Sequence, residues 1–302
     1  MGICDGRTVV VTGAGRGLGR AHALELARQG ARVVVNDLGA ELDGTGSSSG
    51  PAGEVVDAIR AAGGEAIANG DDVADWAGSE RMIRAALDEW GRLDALVCNA
   101  GFLRDRMFFG TSEEEWDAVI RVHLKGHFAP ARHAAAHWRE RSKAGEAVDA
   151  RIVNTSSGAG LMGSVGQATY SAAKAGIAAL TLVQAAELGR YGVTANAIAP
   201  AARTRMTEEV FAQTMAAPAP GEFDAMAPEN VSPLVAWLAS PEAAAVTGRV
   251  FEVEGGKVSV ADGWQHGPEV DKGARWDPAE LGPVVERLLA EAPAPAPVYG
   301  AG

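Results

Sequence analysis

The stretch TVVVTGAGRGLGR, residues 8–20, decides the fold. Its first part is a run of β-branched residues over 8–11, which reads as a buried strand. Its second part sets Gly13, Gly17 and Gly19 in the spacing G-x-x-x-G-x-G, with a helix opening near Leu18. Glycines there let the backbone turn tightly and approach a pyrophosphate. The helix N-terminus turns its amides and the positive end of its dipole toward that anion. Glycine spacing alone says little; the order strand, glycine loop, helix gives it meaning. Gly13, Arg16, Gly17, Leu18 and Gly19 are therefore candidate cofactor-binding residues.

A second strand over 32–35 ends in Asn36-Asp37, and Asp37 lies 24 residues after Gly13. A carboxylate at that distance accepts hydrogen bonds from both hydroxyls of an adenosine ribose and repels a 2′-phosphate. NAD is expected over NADP. Arg16 is the counterweight, because it could reach a 2′-phosphate, and the bland role for Asp37 is a helix cap or turn. Residues 38–53 form a Gly/Ser-rich insertion that reads as a surface loop.

Outward from there, helices and strands alternate. Helices are expected over 54–62, 76–90, 113–141 (capped by Thr111 or Ser112), from about 169, and over 228–239. Strands are expected over 65–68, 95–98, 151–155, 194–198 and 249–253. This alternation implies one doubly wound parallel α/β sheet of Rossmann type over 1–263. Residues 206–227, interrupted by Pro218 and Pro220, read as a helical lid. A C-terminal extension over 264–302 carries one helix near 279–290. Its end, 292–302, is expected to be disordered or packed on a partner subunit.

The chemistry concentrates in RIVNTSSGAGLMGSVGQATYSAAKAG, residues 151–176. Tyr170 and Lys174 are one helical turn apart and share a face. A phenol titrates near pH ~10, and a neighbouring ammonium would lower that value. Ser157, thirteen residues before Tyr170, falls near a strand end where it can hydrogen-bond a substrate oxygen. Together the three can polarise a carbonyl or take a proton from an alcohol beside a hydride carrier. Taken alone, YSAAK is an ordinary helical turn.

The remaining residues exclude several classes. The net charge of −12 over 302 residues argues against a nucleic-acid partner. No apolar run reaches the ~18 residues a membrane span needs. Cys4 and Cys98 make no disulfide framework and suit a reducing compartment. No signal peptide, myristoylation motif or peroxisomal address is visible, so a cytoplasmic location is expected. His123, His127, His133 and His137 form two i, i+4 pairs, but no carboxylate or cysteine at a familiar spacing completes a metal site, and none is expected.

With these motifs in hand, the chain resembles the short-chain dehydrogenase/reductase family, whose site is Ser, Tyr-x-x-x-Lys and usually an Asn. The resemblance implies catalytic roles for Ser157, Tyr170 and Lys174, with Tyr170 and Lys174 also touching the cofactor. It sets Asp72 and Val73 against the adenine, and Asn99-Ala100-Gly101 beside the ribose. It sets the segment after Pro200, with Thr204, against the nicotinamide amide, one residue short of the usual spacing. His123 stands where the family usually has its Asn, which puts the water-mediated proton relay in doubt. NDLG, LRDR, RVHL, GQATYSAAK and the RMTE that follows IAP are similar to the (3R)-hydroxyacyl-CoA dehydrogenase unit of peroxisomal multifunctional enzyme type 2 and to actinobacterial relatives. That likeness covers roughly 3–260. It implies NAD-dependent oxidation of a fatty or steroid side-chain hydroxyacyl-CoA, with a ketoreductase or hydroxysteroid dehydrogenase on a free alcohol as the alternative. A non-catalytic nucleotide-binding protein is the reading from another class. Arg104 and Arg106 become candidates for an anionic part of the thioester, their bland role being an ion pair. A homodimer or homotetramer built on long helices is also implied.

Overall fold

Runs of buried valine organise the molecule. Thr8–Thr12 is β1, buried at every residue, and Arg32–Asn36 is β2, buried at all but its first. Helix α1 (Gly17–Arg28) joins them. A computed structural model describes residues 2–40, 50–204, 218–219, 221–261 and 263–300. The chain continues through α2 (Gly50–Ala61), β3 (Ala66–Asn69), α3 (Trp76–Trp90), β4 (Ala95–Cys98), α4 (Glu113–Ile120), α5 (Gly126–Lys143), β5 (Ala150–Thr155), α6 (Gly158–Met162) and α7 (Ala168–Leu188). It closes with β6 (Val193–Ala201), α8 (Ser232–Ala239), β7 (Val250–Glu254), β8 (Lys257–Ala261) and α9 (Leu281–Glu291).

The strands form one eight-stranded sheet in the order β3-β2-β1-β4-β5-β6-β7-β8. All neighbours are parallel except β7 and β8, an antiparallel hairpin that the sequence reading missed. The chain reverses direction across the sheet between β1 and β4, where ligands of open α/β sheets bind. Alternate residues of each strand point to opposite faces. Val9, Val11, Val33 and Val35 therefore pack with Leu26 of α1, Ile59 of α2 and Leu238 of α8. Val10, Val34, Leu96 and Ile152 pack with Met82 of α3 and Trp138 of α5. The result is three layers, with helices covering both faces of a fully buried sheet centre.

Local rules set the helix ends. The Asp75 carboxylate accepts from Gly78 N and caps α3, and Gly91, at φ +70°, ends it. Ser112 and Glu115 form a capping box at the start of α4. Pro51 sits in the first turn of α2, where a missing N–H costs nothing, so that helix starts at Gly50 rather than at residue 54.

The helix expected over 113–141 is not continuous. Arg121–Lys125 is a π-helical turn between α4 and α5. The extra residue per turn rotates His123 inward, a change that no hydrophobic period reports. The insertion over 41–49 and most of the expected lid, 205–217 and 220, lie outside the described residues. The tail also differs from expectation: residues 298–300 return to this chain's own loop at 163–165.

α6 lies so close to α7 that a Cβ on Gly160 would stand 2.6 Å from the Lys174 backbone. Gly160→Ala is expected to destabilise the protein by about 1–3 kcal/mol through overpacking. Urea unfolding of the variant measures it, and a wild-type midpoint would contradict this packing.

Candidate active site

A cavity of about 210 Å³ opens at the carboxyl ends of the central strands. Its walls include Gly13, Arg16, Gly17 and Leu18 after β1, Asp37 after β2, Asp72 and Val73 after β3, and Asn99, Ala100 and Gly101 after β4. Thr204 closes the far side. Eleven of the residues singled out in the sequence thus share one cavity. Gly19 supports it from beneath: a Cβ there would stand 2.1 Å from Gly13 O. Pro200 lies within β6, paired with Val253, and is not part of the cavity wall.

The cavity fits a dinucleotide on its own geometry. Gly13 and Gly17 adopt φ of +61° and +53°, and a Cβ on Gly13 would meet Ala100 Cα at 2.7 Å. This is a cradle that side chains would fill. The N-terminus of α1 faces it. Asp37 is fixed at the end of β2 by Gly15 N at 2.8 Å and Gly39 N at 2.7 Å. Arg16 Nη1 donates to Ala40 O at 3.3 Å. Asp72 is ion-paired with Arg121.

The Asn99 tripeptide ties β4 to β1. Asn99 Nδ2 donates to Thr12 O at 3.1 Å and Gly13 O at 3.2 Å. Thr12 Oγ1 accepts from the amides of Asn99 and Ala100 at 2.9 and 3.1 Å. Sequence reasoning missed Thr12, and also Asn36, Asp71, Arg121 and Val122 in the cavity wall. Thr12, Asn36, Asp71 and Val122 are chain neighbours of residues that were singled out; Arg121 left no local signal.

Ser157, Tyr170 and Lys174 lie outside the cavity wall, with His123 linking the two regions. Ser157 is the N-cap of α6, its hydroxyl accepting from Ala159 N at 3.2 Å. Its neighbour Ser156 is different: it is buried and donates to Lys174 O at 2.8 Å, anchoring α7. Lys174 Nζ donates to Thr155 O at 2.7 Å and lies 5.5 Å from the Tyr170 ring.

The expectation that Lys174 pulls the Tyr170 phenol down is corrected here. Burial pushes Tyr170 up to about 12, the nearby Ser157 hydroxyl pulls the other way, and the Asp105 charge adds to the rise. Burial brings Lys174 down to about 7. Both groups are desolvated, so each resists its charge.

His123 fills the space left by Gly101, whose Cβ would stand 2.3 Å from the imidazole. Its ring meets the Tyr170 ring edge-on at 5.2 Å. Nε2 is 2.7 Å from Phe102 O and 3.1 Å from Phe102 N. The shorter contact favours a proton on Nε2, which leaves Nδ1 as a buried acceptor unpartnered among the described residues. Burial holds His123 well below its ordinary pKa, and the Lys174 charge adds to this.

Arg106 is paired with Glu115 at 3.1 Å, the ion pair weighed against a substrate role. Arg104 lies over the Phe102 ring at 5.5 Å. Among the described residues no cluster of metal-ligating side chains exists, and no helix is long and apolar enough to cross a membrane.

The model of the short chain dehydrogenase family matches residues 7–215. The chain belongs to this family. It is an NAD(P)-dependent oxidoreductase acting on CH–OH groups. It is 50% identical to the hydroxyacyl-CoA dehydrogenase ChsB1 of Mycobacterium tuberculosis, over 92% of this chain and 86% of that one. It is 45% identical to mouse peroxisomal multifunctional enzyme type 2, over 83% of this chain but 32% of that longer protein. The crystal structure of a short chain dehydrogenase from Mycobacterium avium superposes with a TM-score of 0.90 at 68% identity, covering 99% of this chain and 100% of that one.

Burial brings His22 and His127 down to about 3. In the unfolded chain each titrates near ~6.5, so below that pH the unfolded state binds more protons and stability falls with pH. The melting temperature is expected to drop steadily from about pH 6.5 toward pH 4, and His22→Gln should flatten that slope. A level profile over this range would contradict the burial.

Proposed function

We propose that the chain oxidises a (3R)-hydroxyacyl-CoA, fatty or steroid side-chain, to the 3-ketoacyl-CoA with NAD. The observation that carries this reading is that Ser157 and Lys174 both stand close to Tyr170, and that His123, packed against Gly101 of the wall of the cavity that holds Asp37, meets the Tyr170 ring. The relatives named as hydroxyacyl-CoA dehydrogenase and peroxisomal multifunctional enzyme support the substrate class. The same reading assigns the chain to lipid or steroid degradation in the cytoplasm, as a homodimer or homotetramer. Its catalytic unit is 1–263, and 264–302 is an extension.

The Gly13–Gly19 loop and the N-terminus of α1 would bind the pyrophosphate. Asp72 and Val73 would flank the adenine, Asn99–Gly101 and Lys174 the ribose next to the nicotinamide, and Thr204 the carboxamide. When bound, the dinucleotide supplies the hydride acceptor. Asp37, already aligned by two amides, would accept both adenosine ribose hydroxyls and reject a 2′-phosphate. The Ser157 hydroxyl would hold the alcohol oxygen. Tyr170 would take the alcohol proton, and Lys174 would set the charge of the pair. His123 would orient the Tyr170 ring from its edge. Arg104 and Arg106 lie on the loop leaving β4, where they can face CoA phosphates. The Arg106 pair with Glu115 is exposed and weak enough to exchange.

Three outcomes test this. Tyr170→Phe is expected to lower kcat about 10²–10⁴-fold with NADH binding retained; full turnover would refute the general base. Preference in kcat/KM for NAD over NADP is expected to be at least about 100-fold and to shrink in Asp37→Ala, as removal of a repulsive element predicts. Oxidation is expected to speed up from about pH 7 to pH 9, because the base is deprotonated Tyr170 and burial pushes that phenol up to about 12, so its active fraction still grows over this range. A flat pH–rate profile would argue against proton loss from Tyr170.

A further inference from the structure

The reaction above leaves the C-terminal tail without a task. None of α9 is buried, and Trp264 is fully exposed, so the tail leaves the body after β8. Its tip nevertheless returns to one place. Tyr299 N donates to Gly163 O at 3.2 Å, and Tyr299 O accepts from Val165 N at 2.9 Å. The two segments form a parallel bridge between Ser164 and Tyr299. Val298 packs 3.4 Å from where a Cβ on Gly163 would stand.

The side chain reaches further in. Cε2 and Oη of Tyr299 each lie 3.1 Å from the position of a Cβ on Gly158, the residue after Ser157. The ring thus rests on the backbone that presents Ser157, and 51% of Tyr299 remains exposed. The loop it covers is held on its other side by Arg106 N, which donates to Gly166 O at 2.8 Å. The loop also joins α6, which Ser157 caps, to α7, which carries Tyr170, so it borders the place where a substrate alcohol would sit.

We propose that Tyr299 is a specificity-determining residue, its ring forming the outer wall of the acyl subsite beyond the carbinol carbon. The assignment rests on the hydroxyacyl-CoA reading. The ring, not the hydroxyl, supplies the wall, so its effect grows with acyl length. A (3R)-hydroxybutyryl chain ends too soon to touch it, whereas a (3R)-hydroxydecanoyl chain crosses it.

The experiment compares the full chain with Tyr299→Ala, Tyr299→Phe and a chain ending at Pro297, on both thioesters. Tyr299→Ala and the truncation are expected to raise KM for (3R)-hydroxydecanoyl-CoA about tenfold. KM for the butyryl thioester and for NAD, and kcat, should stay within about twofold, the pattern of lost uniform binding. Tyr299→Phe should keep wild-type values. Hydrogen exchange at the Val165 amide should quicken in the truncated chain, since its acceptor is gone. A wild type inert on both thioesters overturns the function reading, and this assignment with it. An active wild type whose variants share its KM for the long thioester overturns this assignment alone. Equal losses on both thioesters reduce Tyr299 to a structural prop and also overturn it. Unchanged exchange at Val165 overturns the pairing of Tyr299 with the loop at 163–165, and the assignment with it.

Discussion

The anchoring of α7 to the end of β5 is the constraint on which the site depends. Two hydrogen bonds make it: Lys174 Nζ to Thr155 O, and Ser156 Oγ to Lys174 O. Lys174 and Ser156 are buried, so neither bond competes with water, and breaking one would leave a polar group unpaired. With Lys174 fixed, Tyr170 one turn earlier has little freedom. Ser157, next in chain to Ser156, brings its hydroxyl close enough to Tyr170 to act on the phenol. Gly160 completes the arrangement, because only a residue without Cβ lets α6 approach the Lys174 backbone.

The cofactor side is built by a second close approach, between the chain segments after β1 and β4. Thr12 and Asn99 exchange hydrogen bonds across the topological switch point, and Gly13 stands against Ala100. The same contacts that join the two halves of the sheet shape the cavity wall. Stability and binding therefore cannot be separated there: a side chain at Gly13 would both part the strands and fill the cradle. His123 joins this region to Tyr170, since Gly101 makes room for its ring.

Electrostatics add a tension to this geometry. Burial that fixes Tyr170 and Lys174 also disfavours their charged forms, pushing one up and the other down. Sequence spacing predicted the neighbourhood of the two side chains but not this balance, because desolvation depends on what surrounds them. The same burial keeps His22, His123 and His127 neutral.

The sequence by itself determined the parallel sheet, the glycine cradle, Asp37 and the Ser157, Tyr170, Lys174 constellation. Each of these is encoded locally: β-branched runs, glycine spacing and an i, i+4 pair constrain the backbone within a few residues. Only the tertiary structure decided the rest. The π-helical turn that aims His123 has no hydrophobic signature. The β7–β8 hairpin was hidden because β8 buries no residue, four of its five being exposed. Thr12 and Ser156 act through partners 87 and 18 residues away. The return of Tyr299 to Gly158 spans far more of the chain than any local rule reaches, because it is set by where the folded body ends and not by the residues around it.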